Sequence, residues 1–232
     1  VKRFEHTAMT EGAPVLSVRD LHFPALPPMT LDIRRGEIAF LRDENYNTGR
    51  RLHECFLGDR GWTSGFFRLN GRLYQPGDLG RVIGSEIGIQ IERPDRPGGV
   101  LFDNMTALDN LCTSLIPKAG QHIIRKKIVS NILSEALRWF PKEMLLQPLS
   151  SWSYPERLRF SYYRWYLLNP RLLICFFPFA GQESTHHKMI IDLLVLCAQR
   201  GMAVWIISSG IDAICEKTDN EEFLRRLHYL NK

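Results

Sequence analysis

The alternation of apolar and polar positions changes period along the chain, and each change predicts an element. Val15-Leu-Ser-Val-Arg-Asp-Leu21 has a strand-like apolar pattern, and Met29-Thr-Leu-Asp-Ile33 alternates at period two. Arg34-Arg35-Gly36-Glu37 reads as a hairpin turn. Ile38-Ala-Phe-Leu41 is apolar throughout, which suits a buried strand; the polar stretch Arg42 to Arg51 follows, then Leu52, Phe56 and Leu57 at helical spacing. The order predicted there is strand, loop, helix. Phe66-Phe-Arg-Leu69 runs into the turn dipeptide Asn70-Gly71, a second hairpin signal.

From about Thr106 to Phe140 the period becomes helical. Ile124, Ile128 and Ile132 recur every four residues with Leu133, Leu137 and Phe140 beside them, while Arg125-Lys126-Lys127 falls largely on other faces and reads as solvated surface. Arg157 to Leu168 is a further helical stretch that ends before Asn169-Pro170. Leu172-Leu-Ile-Cys-Phe-Phe177, bounded by prolines, predicts a central strand buried on both faces. A helix over Thr185 to Gln199, the turn Arg200-Gly201 and a second buried strand over Ala203 to Ser208 complete a parallel strand–helix–strand unit.

Composition narrows the class. The chain has 232 residues, 44% hydrophobic and 24% charged, which suits a soluble globular protein with one large core. Its 13 prolines and 17 glycines are spread out, so a disordered or collagen-like chain is excluded. No apolar run approaches the roughly 20 residues that span a bilayer, and Val1 to Pro14 is charged, without a signal-like apolar segment, and reads as a loose arm. The five cysteines stand apart, without zinc-like spacing, and point to a reducing cytoplasm. His186 and His187 are adjacent, so on a helix they diverge by about 100° and are not expected to share a metal. A net charge of +5 permits contact with nucleotide, nucleic acid or an acidic membrane and argues for none of them.

Five segments, in order, resemble the nucleotide-binding subunit of ABC transporters, most closely the second cassette of bacterial sugar-importer ATPases. They are Leu31-Asp-Ile-Arg-Arg-Gly-Glu-Ile38, Thr63-Ser-Gly-Phe-Phe-Arg-Leu-Asn-Gly71, Asn104-Met-Thr-Ala-Leu-Asp-Asn-Leu111, Trp165-Tyr-Leu-Leu-Asn-Pro-Arg-Leu-Leu-Ile174 and Gly201-Met-Ala-Val-Trp-Ile-Ile-Ser-Ser209. The resemblance runs from about Pro14 to Asp219 and implies an α/β, P-loop NTPase-like cassette: a mixed sheet core, an antiparallel hairpin region and a helical lobe over about 106–165. The expected organisation is an N-terminal arm over 1–14, the cassette over 15–220, and a C-terminal helix or tail over 221–232.

The chemistry departs from that family. A phosphate loop needs glycines that let backbone N–H groups close on phosphates, a Lys, and a Ser or Thr for Mg²⁺. Here the stretch is Arg42-Asp-Glu-Asn-Tyr-Asn-Thr-Gly-Arg-Arg51, from which Asn45, Thr48, Gly49, Arg50 and Arg51 are the candidate contacts. Without a gap, Gly49 takes the Lys position and Arg50 the Ser position; shifted by one, Arg50 replaces Lys and Arg51 the Ser or Thr. Either register lacks the Mg²⁺ hydroxyl, while the shifted one leaves a phosphate contact open through Arg50. Asp43 and Glu44 put negative charge where phosphates would sit, and Tyr46 stands where a glycine is usual. The family's Asp-Glu pair, which holds Mg²⁺ and polarises water, falls on Phe176 and Phe177, which read as packing.

The signature loop matches Trp152-Ser-Tyr-Pro-Glu156, keeping Ser153 and Glu156 but neither glycine; Glu183 takes the Asp of the next interface loop, and Ser209 the switch-histidine position. In the glutamine-loop region Ile87-Gly-Ile-Gln-Ile-Glu-Arg93, Gln90 and Glu92 are candidate contacts to a membrane partner by resemblance. No catalytic residue and no metal ligand is assigned, and ATP and Mg²⁺ are not expected as cofactors. The expected role is a non-hydrolysing structural or regulatory cassette, cytoplasmic or membrane-associated through a permease, with another cassette, a permease or a second copy as partner. Two alternatives stay open: a residual ATPase, and a cassette-derived soluble regulator that binds protein or nucleic acid. Arg157, Arg159 and Arg164 interleaved with Phe160, Tyr162, Tyr163 and Trp165 give the nucleic-acid reading slight support, although those aromatics also suit a core. The large replacements Tyr46, Trp152, Tyr154 and Pro155 suit a protein contact.

Overall fold

The computed structural model describes residues 12–59, 61–92, 101–115, 126–181 and 183–230. Residues 1–11 of the expected arm, Ile124, Arg125 and Arg93 lie outside the described residues. In chain order the elements begin with β1 (Leu16–His22), β2 (Met29–Ile33), β3 (Ile38–Arg42), α1 (Asn47–Leu57), β4 (Ser64–Leu69), β5 (Arg72–Tyr74), α2 (Pro76–Leu79) and β6 (Ile87–Ile91). There follow α3 (Ala107–Leu115), α4 (Lys126–Ala136), α5 (Lys142–Leu145), α6 (Tyr154–Leu168), β7 (Leu172–Phe176), α7 (Ser184–Gln199), β8 (Ala203–Ser208), α8 (Ile211–Lys217), α9 (Glu221–Arg226) and β9 (Leu227–Tyr229).

The strands form a four-stranded antiparallel sheet, β2-β1-β4-β5, and a five-stranded parallel sheet, β6-β7-β8-β3-β9. Period-two geometry divides the parallel sheet between two cores. Leu172, Ile174 and Phe176 of β7 and Ala203, Trp205 and Ile207 of β8 pack with α1 and the antiparallel sheet. Leu173, Cys175, Val204 and Ile206 face the other way, onto α6, α7 and the C-terminal helices. A third cluster, from Ala107 and Leu111 through Ile132, Ala136 and Phe140 to Phe160 and Tyr163, holds the helical lobe.

The Asn70-Gly71 turn forms as the dipeptide predicts: both residues have positive φ (50° and 80°), and β4 and β5 pair across it. The turn at Arg34–Glu37 also forms, with Glu37 N–H donating to the Arg34 carbonyl at 3.2 Å, but it does not make a hairpin. β2 pairs with β1, whereas β3 pairs with β8 and β9. The physical reason is burial: Ile38, Ala39, Phe40 and Leu41 are all buried, so β3 requires cover on both faces, whereas β2 is half exposed. Leu137, read as part of the apolar helical face, is 44% exposed beyond the end of α4.

Among the described residues no helix is long and apolar enough to cross a membrane. All five cysteines are free and buried. Burial pushes the Cys55 thiol up to about 11 and Cys197 up to about 12, and raises Cys175 well above the usual thiol range. A thiol-specific reagent at pH 8 is therefore expected to label no cysteine rapidly in the folded chain and all five in denaturant. A fast-reacting thiol in the folded protein would overturn that packing.

Candidate functional site

The site lies at the carboxyl ends of the parallel strands, where β3 runs through residues 43–46 into α1 and meets the end of β7. Crevices at that edge are where open α/β sheets bind ligands. Two bulky residues hold left-handed backbone here. Tyr46, at the N-cap of α1, holds φ 57° and ψ 12°, the left-handed region that a bulky side chain seldom adopts. Phe177 is likewise left-handed, at φ 53°, just beyond β7. Their rings pack together with centroids 4.6 Å apart.

The inside of the loop is filled by the chain itself. Asp43 is 4% exposed, and its Oδ2 accepts the Gly49 N–H at 2.7 Å while Oδ1 accepts the Thr48 N–H at 3.3 Å. Gly49 has no room for a side chain: an added Cβ would meet Phe177 Cζ at 2.6 Å, and Asp43 Oδ2 and Ile207 Cγ2 at 3.3 Å. The cations turn elsewhere. Arg50 lies 3.8 Å and Arg51 3.1 Å from the Glu54 carboxylate, and Arg42 reaches Glu44 and Asp212. Asn45 is exposed on the loop. A mainly apolar cavity of about 290 Å³, lined by Phe23, Pro27, Met29 and Leu230, opens beside Arg42 and Thr48.

At the end of β7, Phe176 is 1% exposed, with His53 against its ring edge at a centroid distance of 5.7 Å. The structure thus gives both phenylalanines the packing role read from the sequence. Gln90 and Glu92 sit next to this strand and are also buried. Gln90 Nε2 donates to Glu92 Oε1 at 2.6 Å and to Ser161 Oγ at 3.0 Å, while its Oε1 accepts from Trp165 Nε1 at 2.8 Å. Both side chains are thus turned into the molecule, onto α6, and not outward to a docking partner.

Ser153 and Glu156 start α6. The Glu156 carboxylate accepts from the Ser153 N–H at 2.8 Å and from its hydroxyl at 2.6 Å. This is a capping box, so the helix begins at Tyr154, three residues before the apolar pattern indicates. The Ser-x-x-Glu spacing was the available sequence signal. Trp152 is not an interface side chain: it is buried between Phe140 and Phe160, at 5.4 Å from each. Tyr154 rests on His186 at 5.4 Å, His187 meets Phe179, and of the large replacements Tyr46, 46% exposed, and Pro155 face solvent. Phe160, Tyr162 and Tyr163 are fully buried, Arg157 bonds Asp103 and Arg164 is 7% exposed. The alternating basic and aromatic residues are therefore core and tether, with no ring presented for base stacking.

No family model matches the chain. Its fold is that of an ATP-binding cassette: it superposes with a TM-score of 0.72 on cbiO1 from Clostridium perfringens, part of the ABC transporter complex cbiONQ, at 20% identity over 95% of this chain and 86% of that one. A bacterial ABC transporter cassette solved as a dimer gives 0.65 at 16% identity, covering 93% and 94% of the two chains. The sequence is similar to that of a ribose/galactose/methyl galactoside import ATP-binding protein of Pseudomonas syringae pv. tomato, 25% identical over 212 residues and 90% of this chain. It is also similar to the fructose import ATP-binding protein FruK of Bifidobacterium longum, 25% identical over 93% of this chain. The chain spans about two fifths of the length of these curated relatives, 40% and 42%.

Proposed function

We propose that the chain is a non-hydrolysing cassette of a sugar-importer ATP-binding protein, acting as a structural or regulatory half beside an active cassette and a membrane permease. The sugar-import relatives support the setting. The observation that carries the loss of turnover is the pair Phe176 and Phe177. One is buried at the end of β7 and the other lies over Gly49, where the chemistry of phosphoryl transfer needs oxygen ligands for Mg²⁺ and a group to orient water. Neither ring offers an oxygen. ATP and Mg²⁺ do not fit the loop as it stands, since its Thr48 and Gly49 N–H groups already have an acceptor and Arg50 and Arg51 are drawn to Glu54. The residues that remain position the loop; none of them moves a proton or a phosphoryl group.

The purified chain is expected to release phosphate from ATP no faster than a protein-free control. Millimolar Mg-ATP should leave its melting temperature unchanged, whereas a ligand at 100 times its Kd would add about 2.7 kcal/mol. Release that persists through further purification and disappears in Arg50→Ala would overturn the proposal.

A further inference from the structure

Asp43 is the one loop carboxylate that is buried, and its placement needs an explanation that packing alone does not supply. Burying a charged group is costly unless it is paired or hydrogen-bonded. Yet the arginines nearest in sequence pair elsewhere: Arg42 with Glu44 and Asp212, and Arg50 and Arg51 with Glu54. What surrounds the Asp43 carboxylate is the first turn of the 11-residue helix α1, whose early N–H groups have no partner within the helix and carry its positive end. Two of those N–H groups, Thr48 and Gly49, point at its two oxygens. The Asp43 backbone is fixed as well, its N–H donating to the Ser208 carbonyl at 2.9 Å at the end of β8. The carboxylate is thus held from the sheet and presented to the helix as an anion of the chain's own.

We propose that Asp43 is a built-in anion that permanently fills the oxyanion place of the loop, so that the loop keeps its closed, ordered form with no phosphate bound. The Phe177 ring over Gly49 and the Tyr46 ring against Phe177 cap that arrangement from outside. The inference deepens the reading above, because a loop already filled is constant whatever the nucleotide concentration. It rests on loop stability and not on turnover, so either can fail without the other.

The test removes the anion and supplies another. In the full chain, Asp43→Gly leaves the Thr48 and Gly49 N–H groups unsatisfied and should lower Tm by about 5 °C or more. Asp43→Asn, which keeps an acceptor but loses the charge, should fall between that variant and the native chain. By hydrogen exchange, the Gly49 amide should be slow in the native chain and at least tenfold faster in Asp43→Gly. Pyrophosphate at matched ionic strength should raise the Tm of Asp43→Gly, and more so of Asp43→Gly/Phe177→Ala, while leaving the native chain unmoved. The proposal is overturned if the native chain responds to pyrophosphate as strongly as the variants, or if Asp43→Gly keeps the native Tm and Gly49 exchange. A variant that is destabilised but indifferent to pyrophosphate overturns it too, since Asp43 would then be a helix cap and nothing more. If Asp43→Gly fails to fold, Asp43→Asn carries the same comparison of exchange and pyrophosphate response.

Discussion

Phe176→Asp, which places a carboxylate at the end of β7, is expected to unfold the chain. Phe176 is 1% exposed within the cluster shared by β3, β7, β8, α1 and the antiparallel sheet. Truncating such a ring to Ala costs about 3–5 kcal/mol, because apolar area is lost and a cavity remains. An Asp adds a charge that burial disfavours, beside the His53 ring. Against a total stability of roughly 5–15 kcal/mol for a natural domain, the Asp variant should be largely unfolded at 25 °C. Phe176→Leu should cost least and Phe176→Ala an intermediate amount. Urea unfolding of the three variants gives the order, and a Phe176→Asp chain as stable as Phe176→Leu would show that the site still accommodates an acid. The aromatic pair is part of the fold, so placing acids there would take coordinated changes around β7.

The parallel sheet was legible because β7 and β8 are apolar on both faces, a pattern that only a covered central strand satisfies. β6 and β9 were less so. β6 contains Gly88, a poor strand former, and the reason is packing: an added Cβ there would meet Trp165 Cε3 at 2.9 Å and Leu173 Cδ1 at 3.0 Å. β9 is only three residues long and follows the charged helix α9, where a helix or tail is the natural reading. It nevertheless extends the sheet beside β3, with Ile38, Ala39 and Phe40 opposite Leu227, His228 and Tyr229. Pairing of this kind depends on the edge that β3 leaves open, which local sequence does not reveal.

The residue types at the site were more legible than their arrangement. That Phe176 and Phe177 offer no oxygen follows from residue type alone. Asp43 reads in sequence as repulsion toward phosphate, whereas in the fold it is the acceptor of the Thr48 and Gly49 N–H groups. The difference is direction: only the turn from β3 into α1 decides that two backbone N–H groups converge on that carboxylate. Ser153 and Glu156 show the same limit, because a residue pair that resembles a family motif also makes an ordinary helix cap.

Gln90→Ala should be the second costly change, and it separates a structural polar network from a docking residue. Gln90 is fully buried and serves three partners: Glu92, Ser161 and Trp165. Ser161 keeps its own donated bond to the Leu158 carbonyl at 2.8 Å, so its loss is slight. The Trp165 indole N–H and the Glu92 carboxylate each lose a buried partner, at about 1–3 kcal/mol apiece, and the shortened side chain leaves a cavity. The expected destabilisation is about 3 kcal/mol, with a blue or red shift of Trp165 emission as its hydrogen bond is lost. Pairing the change with Trp165→Phe tests the network directly: once the indole N–H is absent, Gln90→Ala should cost measurably less than it does alone. Equal costs in the two backgrounds would mean that the Gln90–Trp165 bond adds nothing to stability. If Gln90→Ala also left the chain as stable as the native protein, the side chain would be free to serve a partner, and the inward-facing arrangement would not be its working state.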